Sequence, residues 1–129
     1  MGMYVARYKD SPFAVVESPE KRILRCLISQ RLDPENKDIA LGMTEMDPGG
    51  KSDVRGHEEG ELFFCVNGKG TVVIDDERII LEKYDAVYVP PNHIHTLEAD
   101  QDSKFDLAWI LTPPFGGDMK VYDLSVTEK

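Results

Sequence analysis

The chain has 129 residues, 41% hydrophobic and 30% charged, with a formal net charge of -9. That length suits one domain with one hydrophobic core, so 1–129 reads as a single globular domain rather than a disordered chain. The acidic balance argues against nucleic acid and anionic membranes as partners. The basic stretch KRILR (21–25) is short and interleaved with apolar residues. No apolar run approaches the length that crosses a bilayer, and MGMYVARYKD lacks the charged-then-apolar order of a signal peptide. The expected compartment is the cytoplasm. Cys26 and Cys65 belong to no CxxC pair and read as reduced, buried thiols.

In chain order, the first patterned segment is SPEKRILRCLISQ (18–30). Ser18 and Pro19 resemble a helix start, while Leu24, Cys26 and Ile28 alternate as in a strand, and periodicity alone does not decide. IALGMTEM (39–46) reads as a strand ending at the turn signal DPGGK. ELFFCV (61–66) reads as another, running into a second turn signal, NGKG. TVVI (71–74) and RIIL (78–81) flank the acidic turn DDE and form an expected hairpin. DAVYV (85–89) stops at PPN; HTLEA (95–99) and FDLAWIL (105–111) follow, and TPPFGG closes the series. An amphipathic segment after Pro114 has no further support. Short runs rich in Val, Ile, Phe, Tyr and Thr, closely spaced, predict an all-β barrel or sandwich rather than an α/β fold.

All three histidines fall in two stretches, RGHEEGE (55–61) and PPNHIHTL (90–97). Strand alternation puts Glu61, Phe63 and Cys65 on one face, and His57 precedes Glu61 by an even offset. His93 and His95 are two residues apart. Two imidazoles and one carboxylate, His57, Glu61 and His95, would make a facial triad with positions left open for water or substrate. The plainer alternative is hydrogen-bonded structural histidines beside a solvated acidic face.

The stretch GGKSDVRGHEEGELFFCVNG resembles the first motif of the cupin superfamily. Gly49 and Gly68 stand at its outer glycines, Arg55 at its first histidine, His57 at its second and Glu61 at its glutamate. YDAVYVPPNHIHTLEA resembles the second motif, with Pro90 and His95 matching and Tyr84, Asn92 and Ala99 replacing two glycines and an asparagine. The resemblance implies a double-stranded β-helix, that is, a jelly-roll barrel, in which the motifs converge on one metal. Asn92 is a mild departure, because Asn tolerates the left-handed conformation. Arg55 is a larger one, because a guanidinium has no lone pair to offer a metal. The inherited ligands are then His57, Glu61 and His95, with His93 a further ligand, a substrate contact or a solvent-facing residue. Arg55 has three readings: a fork for a substrate carboxylate or phosphate, a partner for Glu61 in a metal-free barrel, or surface.

Phe63 and Cys65 should face inward with Glu61. Tyr88 and Trp109 lie on strands expected to wall the cavity; Tyr88 is a candidate substrate contact and Trp109 is read as core. Glu45, sharing a face with Met43, reads as an exposed acid rather than a second acid near the metal. No residue is assigned as catalytic, and no Ser-His-Asp arrangement or nucleophile elbow has local support. Three functions follow from the resemblance. The first is an enzyme using Fe, Mn, Ni or Zn on a small polar or anionic molecule, by dioxygenation, decarboxylation, lyase or isomerase chemistry. The second is a metal-free small-molecule-binding module anchored by Arg55 and His93. The third is a metal-independent sugar epimerase using His57 or His95 as base and Tyr88 as acid, although the chain is short for that group. Small cupins often pair through edge strands, so a homodimer is expected.

Overall fold

The structure is a computed structural model that describes residues 3–54, 56 and 59–113. Arg55, His57 and the segment after Pro114 lie outside the described residues. After a 3-10 turn at Tyr8–Asp10 the chain forms β1 (Phe13–Val16), β2 (Arg22–Ile28), β3 (Ala40–Met46), β4 (Gly60–Ile74), β5 (Glu77–Glu82), β6 (Ala86–Val89), β7 (His95–Ala99) and β8 (Phe105–Thr112). Every pairing is antiparallel, in the order β1-β2-β3-β8-β4-β5, with β6 and β7 also paired to β4. The fold is all-β, a jelly-roll barrel, and no helix among the described residues is long and apolar enough to cross a membrane.

The ambiguous segment at 18–30 resolves as strand β2. Its backbone is claimed on one side by β1 and on the other by β3, and that pairing outweighs the local helix-start signal at Ser18 and Pro19. The predicted alternation holds through Leu24 and Cys26, both buried, and then slips at a register shift before Ile28. The predicted break at NGKG is not a break. ELFFCV and TVVI are two halves of one 15-residue strand. Its first half pairs with β8 and β6, its second with β5 and β7. The glycines serve close approach rather than reversal. Gly68 has φ +79, and a Cβ there would lie 1.7 Å from the Lys104 carbonyl oxygen; at Gly70 it would lie 2.3 Å from the Phe105 ring. The strand therefore bends across β8 and passes from one sheet to the other. The acidic hairpin between β4 and β5 forms as predicted, with Ile74 opposite Glu77 across Asp75 and Asp76.

The core is built from the inward parity of these strands. Phe63 pairs with Trp109, Cys65 with Leu107, and Met46 with Phe105, and all six are buried. Trp109, 1% exposed, lies against Gly42, where a Cβ would come 2.0 Å from the indole Cζ2. This confirms Trp109 as core. Cys26 and Cys65 are free and buried, as expected. Burial pushes both thiols up in pKa, although Ser29 and Arg31 oppose it at Cys26, so neither is activated as a thiolate.

Candidate functional site

The site is made where side chains from the two opposite ends of β4's pairings come together. Glu61, near the start of β4, is paired to Leu111 of β8 and Val89 of β6, and its side chain follows the buried parity of Phe63 and Cys65. His95 opens β7, opposite Ile74 at the far end of β4. Although separated along β4, the two side chains meet: His95 Nε2 lies 3.2 Å from Glu61 Oε1, with side chains only 5% and 7% exposed. The ring of Phe63 stands edge-on to the imidazole, with centroids 5.8 Å apart, and shields one side from water.

The tautomer of His95 follows from its other nitrogen. Nδ1 is 3.2 Å from the His93 carbonyl oxygen, an acceptor only, so Nδ1 carries the hydrogen. In a neutral imidazole, Nε2 then presents a lone pair towards a carboxylate oxygen. Two acceptors at that distance in a buried setting call for a proton or a cation between them. An imidazole and a carboxylate fit a divalent metal ion as two of its ligands. Among the described residues no group of three or more His, Cys, Asp or Glu side chains converges. A third ligand has to come from elsewhere, and His57 lies outside the described residues.

The other histidine of the second stretch faces away from this pair. His93 Nδ1 donates to Asp75 Oδ2 at 2.6 Å, and that hydrogen bond holds the Asp75 carboxyl below its usual range. His93 and Tyr88 both line an open surface cleft of about 510 Å³ with Asp75, Ile79 and Val87. Tyr88 is paired to Leu62 rather than Glu61 and is 53% exposed. It therefore lies on the face opposite the Glu61 side chain, outside the cavity it was expected to wall. Its hydroxyl folds over Gly60, where a Cβ would come within 2.4 Å of it. Glu45 is likewise on the outer face, but it is not free: it is ion-paired to Arg25 at 3.0 Å and hydrogen-bonded by Tyr8. Of the residues singled out by sequence, the structure brings Glu61 and His95 together and puts His93 with Tyr88 elsewhere.

One buried charged group was not anticipated. Arg22 is buried at the start of β2, with its guanidinium on Glu20 at 2.7 Å and on Asp53 at 3.4 Å. The clue was its parity with Leu24 and Cys26, which puts it on the buried face once the segment is a strand.

The backbone completes the comparison with the sequence motifs. All four positions that correspond to motif glycines have positive φ: Gly49 at 80°, Gly68 at 79°, Tyr84 at 76° and Asn92 at 67°. Left-handed backbone at a tyrosine costs about 1–2 kcal/mol. The cupin domain family model matches residues 42–111, more than half of the chain. The chain belongs to the cupin family. No curated protein matches this cupin in sequence. Its fold is similar to that of an RmlC-like cupin from Shewanella frigidimarina NCIMB 400, with TM-score 0.72 and 16% identity over 89% of this chain and 95% of that one. It is also similar to KdgF from Halomonas sp., with TM-score 0.72 and 15% identity over 92% of this chain and 100% of that one. The polyketide cyclase RemF from Streptomyces resistomycificus superposes with TM-score 0.73 at 16% identity, covering 86% and 80% of the two chains. At these identities the likeness is one of fold, and fold does not carry activity.

Proposed function

We propose that this cupin is a divalent-metal-dependent enzyme acting on a small polar or anionic molecule. The observation that supports the reading is the buried Glu61–His95 pair, with Nδ1 of the imidazole committed to a carbonyl and Nε2 turned to the carboxylate. His95 and Glu61 would hold Fe, Mn, Ni or Zn, with His57 as third ligand. When bound, such a metal supplies Lewis-acid polarisation to a substrate oxygen or activates oxygen or water. The chain's own residues do the rest. The His93 carbonyl fixes the imidazole's orientation, Phe63 keeps water from one side of it, and Arg55 would orient an acidic group of the substrate with its planar fork. Dioxygenation, decarboxylation, lyase chemistry and isomerisation are all compatible with this arrangement.

The test is metal content per chain, by plasma mass spectrometry, on protein purified without a histidine tag or chelator. Near-stoichiometric metal is expected. Protein that stays metal-free after anaerobic reconstitution with Fe(II), Mn(II), Ni(II) and Zn(II) would overturn the reading. That outcome would favour a metal-free binding module, in which the same 3.2 Å contact is an ion pair between a protonated His95 and Glu61, and Arg55 anchors an anionic ligand.

A homodimer is the second part of the proposal. Among the described residues β1 has one partner strand, β2, and Val15 on it is half exposed. An open edge of this kind invites pairing with a second copy. Light scattering should give a mass of about twice the 14.6 kDa chain. A monomeric mass at micromolar concentration would contradict it.

A further inference from the structure

His95 is the first residue of β7, so its imidazole is carried on the end of the loop 90–94. That loop is held from the tip of the β4–β5 hairpin. Ile74 is opposite His95 in the ladder between β4 and β7. Asp75, the next residue, extends the ladder one step past both strands: its N–H donates to Ile94 O at 2.8 Å. Its carboxylate accepts from His93 Nδ1 at 2.6 Å. The carbonyl of the same His93 accepts from His95 Nδ1 at 3.2 Å. Asp75 therefore grips both residues before His95, one through its backbone and one through its side chain. One of those two residues supplies the acceptor that sets the tautomer of the imidazole.

The grip is local rather than a source of global stability. The side chains of His93 and Asp75 are 45% and 51% exposed, and a pair in that setting adds little to the free energy of folding. It needs no charge on His93, because Nδ1–H donates to a carboxylate whether the imidazole is neutral or protonated. Its effect is to fix one rotamer and the backbone that carries it. Other contacts of His95, with Glu61 and with Phe63, fix where the ring ends; Asp75 fixes the backbone from which it starts. Asp75 has φ +54, a left-handed conformation that the short Asp and Asn side chains accept more readily than most.

We infer that Asp75 is a positioning residue for His95: by holding His93 and Ile94 it keeps the His93 carbonyl under Nδ1 and so keeps Nε2 turned to Glu61. The consequence for metal affinity rests on the metal reading above. An imidazole whose orientation is no longer fixed must be ordered again when an ion binds, and that ordering is subtracted from the affinity.

The experiment compares Asp75→Gly with Asp75→Asn in the full chain. Glycine and asparagine both accept left-handed backbone, and only asparagine keeps a side-chain acceptor for His93. Two readouts are taken. On metal-free protein, the nuclear Overhauser contact between the rings of His95 and Phe63 reports the orientation of the imidazole. On titration with Co(II) alone, the visible ligand-field bands report affinity and coordination geometry. Asp75→Gly should weaken the ring contact and bind Co(II) about 10-fold less tightly, the lower end of the range for outer hydrogen-bond partners, because Asp75 acts through one further residue. Asp75→Asn should restore most of both. An unaltered ring contact in Asp75→Gly would overturn the inference while leaving the metal reading intact. So would equal losses in the two variants, which would trace to the turn and not to the hydrogen bond. No Co(II) uptake by the unaltered protein would overturn the metal reading, and the ring contact in the metal-free variants then decides the positioning role by itself.

Discussion

Replacing His95 with alanine should leave a folded protein that carries no metal. The imidazole lies 3.2 Å from Glu61, and on the proposed metal reading its removal takes away a ligand rather than a supporting contact. The loss in affinity should therefore exceed the about 10–100-fold seen when only an outer hydrogen-bond partner is removed. The His95 side chain is 5% exposed and packs edge-on against Phe63, so a modest destabilisation is also expected. Circular dichroism separates the two effects. The decisive measurement is metal per chain in His95→Ala beside the unaltered protein. Full retention of metal in the variant would exclude the Glu61–His95 pair as the centre. Glu61→Gln, which keeps the shape and removes the charge, is the companion variant and should lose metal in the same way.

The second large effect is on stability. Trp109→Ala should destabilise the protein by about 3–5 kcal/mol, a large share of the 5–15 kcal/mol that typically holds a domain of this kind together. Trp109 is 1% exposed, is opposite Gly42 on one side and Phe63 on the other, and fills the space that glycine leaves. The reverse change probes the same contact. An alanine Cβ at position 42 would meet the indole at 2.0 Å and the Arg25 carbonyl oxygen at 2.2 Å. Backbone on one side and a rigid ring on the other give it no room, so Gly42→Ala should cost at least the about 1–3 kcal/mol of ordinary overpacking. Urea denaturation of both variants checks this. A loss below about 0.5 kcal/mol in Trp109→Ala, the range of a surface substitution, would mean that the indole is not the keystone of this layer.

These two results bear on different parts of the chain's design. Trp109, Phe63 and Gly42 belong to a packed layer that any jelly roll needs. Glu61 and His95 interrupt that layer with two buried polar groups 3.2 Å apart, whose burial has to be compensated by a proton, a cation or further hydrogen-bond partners. The contrast sets this pair apart from the apolar layer around it, and it is the observation on which the proposed metal reading rests.

Strand parity was legible in the sequence because it is local. Once ELFFCV is a strand, Glu61, Phe63 and Cys65 must share a face, and all three are buried together. The acidic hairpin and the motif glycine positions were legible for the same reason, since a turn or a left-handed residue depends on only a few neighbours. Where the outcome depended on distant partners, the sequence was silent or misleading. The segment at 18–30 carried signals for helix and strand, and only the edges of β1 and β3 decided between them. NGKG looks like a turn in any local window, yet Gly68 and Gly70 are small to let β8 approach, and β4 runs through. Tyr88 lies on a strand that faces the barrel, but the register that sets it opposite Leu62, and so on the outer face, is fixed by β4. The meeting of Glu61 with His95, the separation of His93 into a cleft with Tyr88 and Asp75, and the reach of Arg22 to Asp53 are likewise products of sheet-to-sheet closure. The sequence by itself determined which residues could share a face; which faces meet was decided by the tertiary structure, because that depends on how β4 bends between the sheets.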